Sequence, residues 1–463
     1  MSPSTISTII NFVKNQKLMS PIKYFTAWFA AVFLLSPSSK VAAQEIVKNI
    51  SLSEAIAAAL NDNKEIHLAG IDQNIAAINF KKTNAIFLPQ VSLSYTGIRT
   101  NDPLNSFGFK LEQRTITQND FNPVLLNNPN ATSNYMTRLE VQQPLLNIDM
   151  LYQRMGAKKQ IEAYQYKTQR TKEYLTFEVQ NAYLQLQLAY DALKVVEEAL
   201  QTAKSIYVFT DNHFKQGLIQ KSDLLNAQVH ITSVESSQAK AQSGIKNASD
   251  YLGLLMGKPA GTIYKPGGGL QTGPTAVDTS RYIYPERSDF MAIQKAIEAS
   301  NLMVKSSQMS YLPRINAFGN YQYNDSRVTG FGANSYFFGV QVSWNIFIGN
   351  KTKNAIAAQK SERDKLVTQL AQQKEQSQSD LDKAYRDLSD ATFEIKQGKE
   401  AIEQATESLR ILQNRYKQGL VNTTDVLMAE TQLSQLKFSL AQAQFSSNVS
   451  RAYIQFLTAT ANK

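Results

Sequence analysis

The spacing of apolar residues changes from a helical to a strand period at two places in the chain. Ser51–Glu54 has the spacing of a capping box. The apolar residues that follow it at helical intervals are Ile56, Ala59, Leu60, Ile66, Ile71, Ile75 and Ile78. This helix should end before Leu88–Pro89, because the residue before a proline avoids the helical conformation. A second helix, from about Ser288, should end in the same way before Leu312–Pro313.

Pro89 and Pro313 are therefore predicted transitions from helix to strand, and each precedes two segments in which apolar and polar residues alternate. The four segments are Val91–Thr96, Tyr135–Gln142, Ile315–Asn324 and Tyr336–Phe347, with a loop rich in Asn and Pro between the first two. One face of these strands carries apolar residues, among them Val91, Leu93, Tyr95, Val340, Val342 and Ile346. The opposite face carries serine, asparagine and glutamine. We predict four strands, two in each half of the chain.

Long polar helices separate the strands. The segments from about Met150 to His213 and from about Lys351 to Lys417 contain no proline and one glycine each. Each can run for some 60 residues, or roughly 90 Å at the rise of an α-helix. Apolar or small residues recur at alternating spacings of four and three at Ala182, Leu186, Ala189, Leu193, Val196 and Leu200, and at Ala384, Leu388, Ala391, Ile395, Gly398 and Ile402. This spacing predicts a coiled-coil seam in the same register in both segments.

The chain contains an internal duplication. Phe214–Ile219 and Tyr416–Val421 share the sequence Lys-Gln-Gly-Leu, and corresponding residues lie 202 positions apart. This repeat is far longer than the units of about 20 to 50 residues that form solenoids. It predicts two equivalent halves, residues 44–256 and 286–463, joined by an irregular linker at 257–285.

The amino terminus has the features of a signal peptide. Lysines precede the apolar run Tyr24–Leu35, and Val41–Ala43 supplies small residues for cleavage. We therefore assign residues 1–43 to a signal peptide, with either Met1 or Met19 as the start. Its removal takes away four lysines and no acid, so the net charge falls from +10 to +6. The remaining charges are spread along helices, which argues against nucleic-acid binding.

Side chains that carry chemistry are scarce. The chain has no cysteine, so we expect neither disulfides nor a lipid-anchored amino terminus. The three histidines, His67, His213 and His230, lie far apart without a nearby ligand in sequence, and we interpret them as surface residues rather than metal ligands. No nucleophile motif or paired-carboxylate motif is present. The sequence therefore predicts a protein that is not an enzyme and binds no cofactor or metal.

The strands, the export signal and the long helices together imply a shared membrane wall. Strands of about ten residues have the length that crosses an outer membrane when tilted. Four strands cannot close a barrel, and an open sheet edge in lipid leaves backbone groups unpaired. Three copies supply twelve strands around a lumen, whereas two copies supply eight, whose side chains fill the interior. The alternative that stays open is a small sandwich with one face packed under helices.

The whole arrangement resembles the TolC-like outer-membrane efflux proteins. The resemblance covers nearly all of the mature chain: helix, Leu-Pro, two strands, long helix, Gly-Leu turn, Asp and returning helix, in the same order twice. It implies an α+β, mostly α fold in which a homotrimer forms a twelve-stranded barrel in the outer membrane of a Gram-negative bacterium. It further implies a periplasmic tunnel of helices, a periplasmic adaptor (membrane fusion) protein, and an inner-membrane pump of RND, ABC or MFS type.

The resemblance also assigns roles to the turns. The positions that would contact the adaptor are Gln216, Gly217, Leu218, Gln418, Gly419 and Leu420. Asp223 and Asp425 correspond to acids at the inner tip, with Asn226 and Met428 as neighbours, and copies of Asp425 would form a ring that attracts cations. A capping role at the helix start is an equally good explanation of both acids. Val421 and Met428 replace an arginine and a second acid of known members, so the family's closing contacts do not carry over.

These features predict passive conduction, with opening by untwisting of the returning helices when the adaptor docks. Two alternatives stay open: a duct for a type I protein secretion system, and a periplasmic coiled-coil scaffold without a pore. The exported substrate, the adaptor and the resting state of the channel have no signature in the sequence.

Overall fold

The computed structural model describes residues 46–270 and 281–459. The predicted signal peptide and residues 271–280 of the predicted linker lie outside the described residues. In chain order the elements are β1 (Ile46–Ile50), α1 (Leu52–Asp62), α2 (Lys64–Lys82), β2 (Gln90–Thr100), α3 (Pro103–Glu112), α4 (Pro123–Asn127), β3 (Thr132–Leu146), α5 (Ile148–Lys215), α6 (Lys221–Leu255), β4 (Thr262–Pro266), α7 (Ser288–Met309), β5 (Arg314–Asp325), β6 (Ala333–Ser343), α8 (Lys351–Lys417) and α9 (Thr423–Thr458).

The capping box at Ser51 is present, but the helix that it opens is shorter than predicted. Ser51 and Glu54 exchange backbone and side-chain hydrogen bonds at the start of α1. The helix then breaks at Asn63, whose side chain accepts a hydrogen bond from Glu65 N at 2.7 Å and donates one to Leu255 O at 2.8 Å. Asn63 is buried and ends α1 while it caps α2. The prediction of one continuous helix to residue 78 was therefore wrong.

Four strands form one antiparallel sheet in the order β2-β3-β5-β6. Pro89 and Pro313 immediately precede β2 and β5, as the sequence predicted. β6 ends at Ser343, so the predicted strand was too long by four residues. Beyond its end, Trp344 Nε1 donates a hydrogen bond to Tyr311 O at 2.9 Å, and this contact replaces strand pairing.

The segment between β2 and β3 is folded, whereas its many Asn and Pro residues predicted a loop. It contains α3, the 3₁₀ turn Gln118–Phe121 and α4. Asp102 and Asn122 cap the two helices, and a proline occupies the first position of each. We call residues 101–131 the mouth segment.

The prediction of two very long helices is confirmed. α5 has 68 residues and α8 has 67, which gives each a length of about 100 Å. α5 packs against α2, α6, α7 and α9, and α8 packs against α7 and α9. The predicted seam is the contact side, since Ala182, Leu186, Ala384, Ala391 and Ile395 are all buried.

The predicted strand count was too low, because β1 and β4 form a second sheet of two strands. β4 lies inside the segment assigned to the irregular linker. Its Tyr264 is buried in the core between α1, α5 and α6, and Tyr190 of α5 donates a hydrogen bond to Tyr264 O at 3.2 Å. The strand-favouring residues Thr262, Ile263 and Tyr264 were a visible but short signal for this strand.

Candidate functional site

The four-stranded sheet has one continuous apolar face. Register places Leu93, Leu139, Tyr321 and Tyr336 in one row across the four strands. The apolar side chains on this face stay in contact with solvent in the protomer: Val91, Leu93, Tyr95, Tyr336, Phe338, Val340 and Val342 are each more than half exposed. The sandwich alternative required this face to be packed under helices, so it is wrong.

The opposite face of the same sheet is polar. Ser94, Arg138, Gln322 and Ser335 form one row across the strands. Arg138 Nε donates a hydrogen bond to Gln322 Oε1 at 3.2 Å. The sheet therefore separates an apolar surface from one that carries most of the hydrogen-bonding side chains, together with the contacting rings of Phe318 and Phe337.

Both edges of this sheet are free. Among the described residues β2 pairs only with β3, and β6 pairs only with β5. Each edge strand has 11 residues, so about half of its backbone N–H and C=O groups point away from the sheet without a partner strand.

The two predicted turns lie at the far ends of the long helices and have the same geometry. Gln216 and Gln418 are the C-caps of α5 and α8. Gly217 and Gly419 follow with φ of 75° and 73°, in the left-handed region that favours glycine. Leu218 and Leu420 are about two-thirds exposed in the protomer. These turns present an apolar side chain to the surroundings at each tip.

Asp223 and Asp425 each cap the helix that returns from the turn. Asp223 Oδ2 accepts a hydrogen bond from Gln220 N at 3.3 Å, and Asp425 Oδ2 accepts one from Asn422 N at the same distance. The capping role that the sequence allowed is therefore present in both repeats. Their neighbours Asn226 and Met428 are exposed.

A buried hydroxyl cluster ties the two hairpins together near the tips, and sequence reasoning missed it. The Tyr416 hydroxyl shares hydrogen bonds of 2.8 Å with the hydroxyls of Thr210 and Thr423. All three residues are buried. The Tyr416 ring also packs against Phe209 of α5, with ring centroids 5.0 Å apart. We call Thr210, Tyr416 and Thr423 the hydroxyl cluster.

His230 corrects the interpretation of the histidines as unpaired surface residues. Its Nε2 lies 2.9 Å from Glu430 Oε2, and the two side chains are only 16% and 4% exposed. Ser434 donates a second hydrogen bond to Glu430 at 2.9 Å. The pair joins α6 to α9 across 200 positions of sequence, which no local pattern reveals. His67, by contrast, is exposed as expected.

A buried ion cluster holds the carboxyl end of α9. Arg287 makes a two-pronged contact of 2.7 Å with Asp289 and donates a hydrogen bond to Leu457 O. Arg170 packs on Phe456 and donates to its carbonyl oxygen. Burial opposes ionisation of Asp289, but its hydrogen bond to Arg287 and the charge of Arg170 outweigh burial and lower the pKa of this carboxyl.

Residues 46–270 and 281–459 contain no group of three or more His, Cys, Asp and Glu side chains positioned to hold a metal ion.

None of the helices in these two ranges combines the length and apolar character needed to cross a bilayer.

Comparison with known proteins adds three findings. The pattern of the family described as outer membrane efflux protein matches residues 55–258 and 284–461. The probable outer membrane lipoprotein SilC of Salmonella typhimurium is 23% identical over 414 residues, which cover 86% of this chain and 83% of SilC. The cation efflux system protein CusC of Escherichia coli (strain K12) is 23% identical over 409 residues, covering 85% and 83%.

The fold is also that of a solved structure. A crystal structure of CusC superposes with a TM-score of 0.74 at 18% sequence identity, over 89% of this chain and 92% of that one.

Proposed function

This chain belongs to the outer membrane efflux protein family, and we propose that three copies of it form the exit duct of a tripartite efflux system. The duct passively conducts substrates that an inner-membrane pump delivers through a periplasmic adaptor. The observation that carries the proposal is the sheet with an exposed apolar face, a polar face and two free edges.

The dimensions of the sheet fit an outer-membrane wall. A strand of 11 residues is about 36 Å long, and a tilt of about 45° reduces its height to about 25 Å, the apolar thickness of an outer-membrane barrel. Unpaired backbone groups in lipid cost several kilocalories per mole each, so the free edges of β2 and β6 must meet strands of other copies. Three copies provide twelve strands, with the polar faces lining a lumen.

An apolar stripe on α2 supports contact between copies outside the sheet. Leu68, Ile71, Ile75 and Ile78 recur at spacings of three and four, yet each is between 44% and 61% exposed in the protomer. Burial of the exposed part of these four side chains would stabilise an interface by about 1 kcal/mol per side chain, or roughly 4 kcal/mol in total. A neighbouring helix of a second copy supplies this cover.

The hairpin tips are the proposed contacts with the adaptor. A side chain added at Gly217 or Gly419 meets no atom within 4 Å, so both turns face open space. The exposed Leu218 and Leu420 give each turn an apolar contact point. Three copies of Asp425, which is exposed beside its cap, would converge on the threefold axis and favour cations at the narrow end.

Because the chain is duplicated, three copies would place six similar repeats around the proposed channel. We assign residues 44–256 and 286–463 to two equivalent repeats, each with two membrane strands and one long hairpin. The chain carries no recognisable nucleotide motif, so the energy for export would come from the pump.

Conductance of the purified protein in a planar bilayer tests the proposal. A trimeric duct gives discrete cation-preferring channels, whereas the alternative scaffold gives no current. Asp425→Asn should reduce the cation preference, while the matched surface change Asp364→Asn should leave it unchanged. Equal cation selectivity in the unchanged protein and in both variants would contradict the proposed ring of Asp425 side chains.

Adaptor docking is tested separately by co-purification. Gly419→Asn places at the turn a residue that tolerates the left-handed conformation, whereas Gly419→Val adds both a bulky side chain and backbone strain. We expect the valine variants at Gly217 and Gly419 to lose the adaptor while the trimer persists. Undiminished binding by the valine variants would contradict docking at the tips.

A further inference from the structure

The mouth segment is much longer than the connection between its strands requires. The ladder of β2 and β3 continues to the pair Thr100 and Thr132, and a turn of two residues is enough to join strands at such a pair. The chain instead inserts residues 101–131. Inside the insertion, Phe107 packs against Phe121 and Lys110 contacts Asp120 at 2.7 Å. The mouth segment is therefore a built unit.

Buried amides dock this unit on the polar face of the sheet. Gln113 Nε2 donates hydrogen bonds to Ser133 O at 2.8 Å and to Asn134 Oδ1 at 3.0 Å. Asn134 Nδ2 in turn donates to Asn324 Oδ1 at 3.0 Å. Gln113, Asn134 and Asn324 are at most 7% exposed. Asn134 shares the face of Arg138, four residues away, because alternate residues of a strand point to one side.

The docking contacts extend to the far strand of the sheet. Arg114 follows α3 with φ of 54°, a left-handed conformation that is unfavourable for a residue other than glycine. Its Nη2 donates a hydrogen bond to Asn334 O of β6 at 2.8 Å. The segment that leaves β2 therefore contacts β3 on the polar face and also reaches β6, the far strand of the sheet.

We propose that the mouth segment forms a size-selective constriction at the outer end of the channel. The inference depends on the proposed function, which makes the polar face the wall of the lumen. The mouth segment lies at the end of the strands opposite to Pro89 and the long helices, so it faces the exterior. Three copies place three mouth segments around one axis, each with two helices, and a helix with its side chains is about 10 Å wide. The opening between them limits what passes.

Thiol accessibility tests the constriction without interference from the periplasmic tip. The chain has no cysteine, so Ser94→Cys introduces a single thiol on the polar face, below the mouth segment. Intact cells are treated from outside with a small methanethiosulfonate reagent or with a maleimide carrying a long polyethylene glycol chain. The compared backgrounds are the full chain, replacement of residues 101–131 by Asn-Gly, and Gln113→Ala. Gln118→Ala, an exposed change in the same segment, is the matched control.

We expect the small reagent to label Ser94→Cys in every background. The large reagent should react about 30-fold faster after Gln113→Ala, the factor expected when two ordinary hydrogen bonds of about 1 kcal/mol each are lost, and faster still after replacement of the segment. Thr329→Cys, in the exposed turn between β5 and β6, should react equally in all backgrounds and verifies assembly. Equal rates of the large reagent at Ser94→Cys in all backgrounds would overturn the constriction alone. Absence of labelling by either reagent, even without the mouth segment, would overturn the channel and the constriction together.

Discussion

The hydroxyl cluster predicts a specific effect of removing one oxygen atom from Tyr416. Tyr416→Phe keeps the ring contact with Phe209 but loses both hydrogen bonds of 2.8 Å. The first repeat already has phenylalanine at the equivalent position, Phe214. The substitution is therefore compatible with the backbone, and its effect isolates the hydroxyl.

The size of the loss in stability depends on which hydrogen bonds the Thr210 and Thr423 hydroxyls keep. Thr210 still donates to Ile206 O at 2.7 Å, whereas within the described part of the chain the buried Thr423 hydroxyl makes no other side-chain hydrogen bond. Two lost hydrogen bonds cost about 1 kcal/mol each, and a buried hydroxyl without a partner adds to this. We expect the contact between α5 and the second hairpin to weaken by roughly 2 to 3 kcal/mol, which corresponds to a 30- to 150-fold rise in local opening.

Hydrogen exchange of the purified protein, followed by mass spectrometry, measures this opening. Peptides covering residues 206–216 and 416–427 should exchange faster in Tyr416→Phe, while peptides from the sheet keep their protection. Tyr207→Phe removes a hydroxyl from a half-buried residue at the same end of α5 and should change nothing. Unchanged exchange at both tips in Tyr416→Phe would refute the role of the hydroxyl cluster as a tie between the hairpins.

Two further predictions concern charged contacts. Arg287→Met leaves Asp289 partly buried without its main partner, and the urea-unfolding free energy followed by circular dichroism should fall by about 3 kcal/mol. Arg410→Met, which breaks an exposed pair with Glu407, should cost under about 0.5 kcal/mol. Equal losses in the two variants would contradict the role of the ion cluster. In the mouth segment, hydrogen bonds from Lys110 and then Thr117 lower the pKa of Asp120 to about 2. This pKa is below that of an unfolded Asp, so the contact stabilises the segment at neutral pH and is lost as pH falls toward 2. Pepsin should therefore cleave the mouth segment of the unchanged protein only near pH 2, but that of Asp120→Asn across the acid range. The same dependence of cleavage on pH in both proteins would count against the contact.

The elements that the sequence predicted well are those with long or repeated patterns. The absence of proline between Lys351 and Lys417 predicted α8 with its observed ends, and the seam through Ala384, Ala391 and Ile395 predicted its contact side. The changes from helix to strand at Pro89 and Pro313 were predictable because apolar residues recur at helical intervals before each proline and alternate with polar residues after it. The alternation of apolar and polar residues in the strands predicted two unlike faces of the sheet, because the side chains of a strand have a period of two.

The features that the sequence did not predict depend on contacts between distant segments. His230 and Glu430 lie 200 residues apart, and neither has a charged partner on its own helix that would mark the pair. Tyr416 meets Thr210 only because α5 packs against the second hairpin. The mouth segment was missed for a different reason: its helices are short, and Asn and Pro residues that cap them also mark ordinary loops.

The central claim is that one chain supplies a third of a closed wall, and cross-linking between the edge strands tests it most directly. Cysteines placed singly on the outer edge of β2 and of β6 should form no bond alone. Together they should link β2 of one copy to β6 of the next. The account predicts that, under oxidising conditions in membranes, the double variant yields bands of two and three chains and nothing larger. A ladder that continues beyond three chains, or a product that stays at one chain, would contradict it.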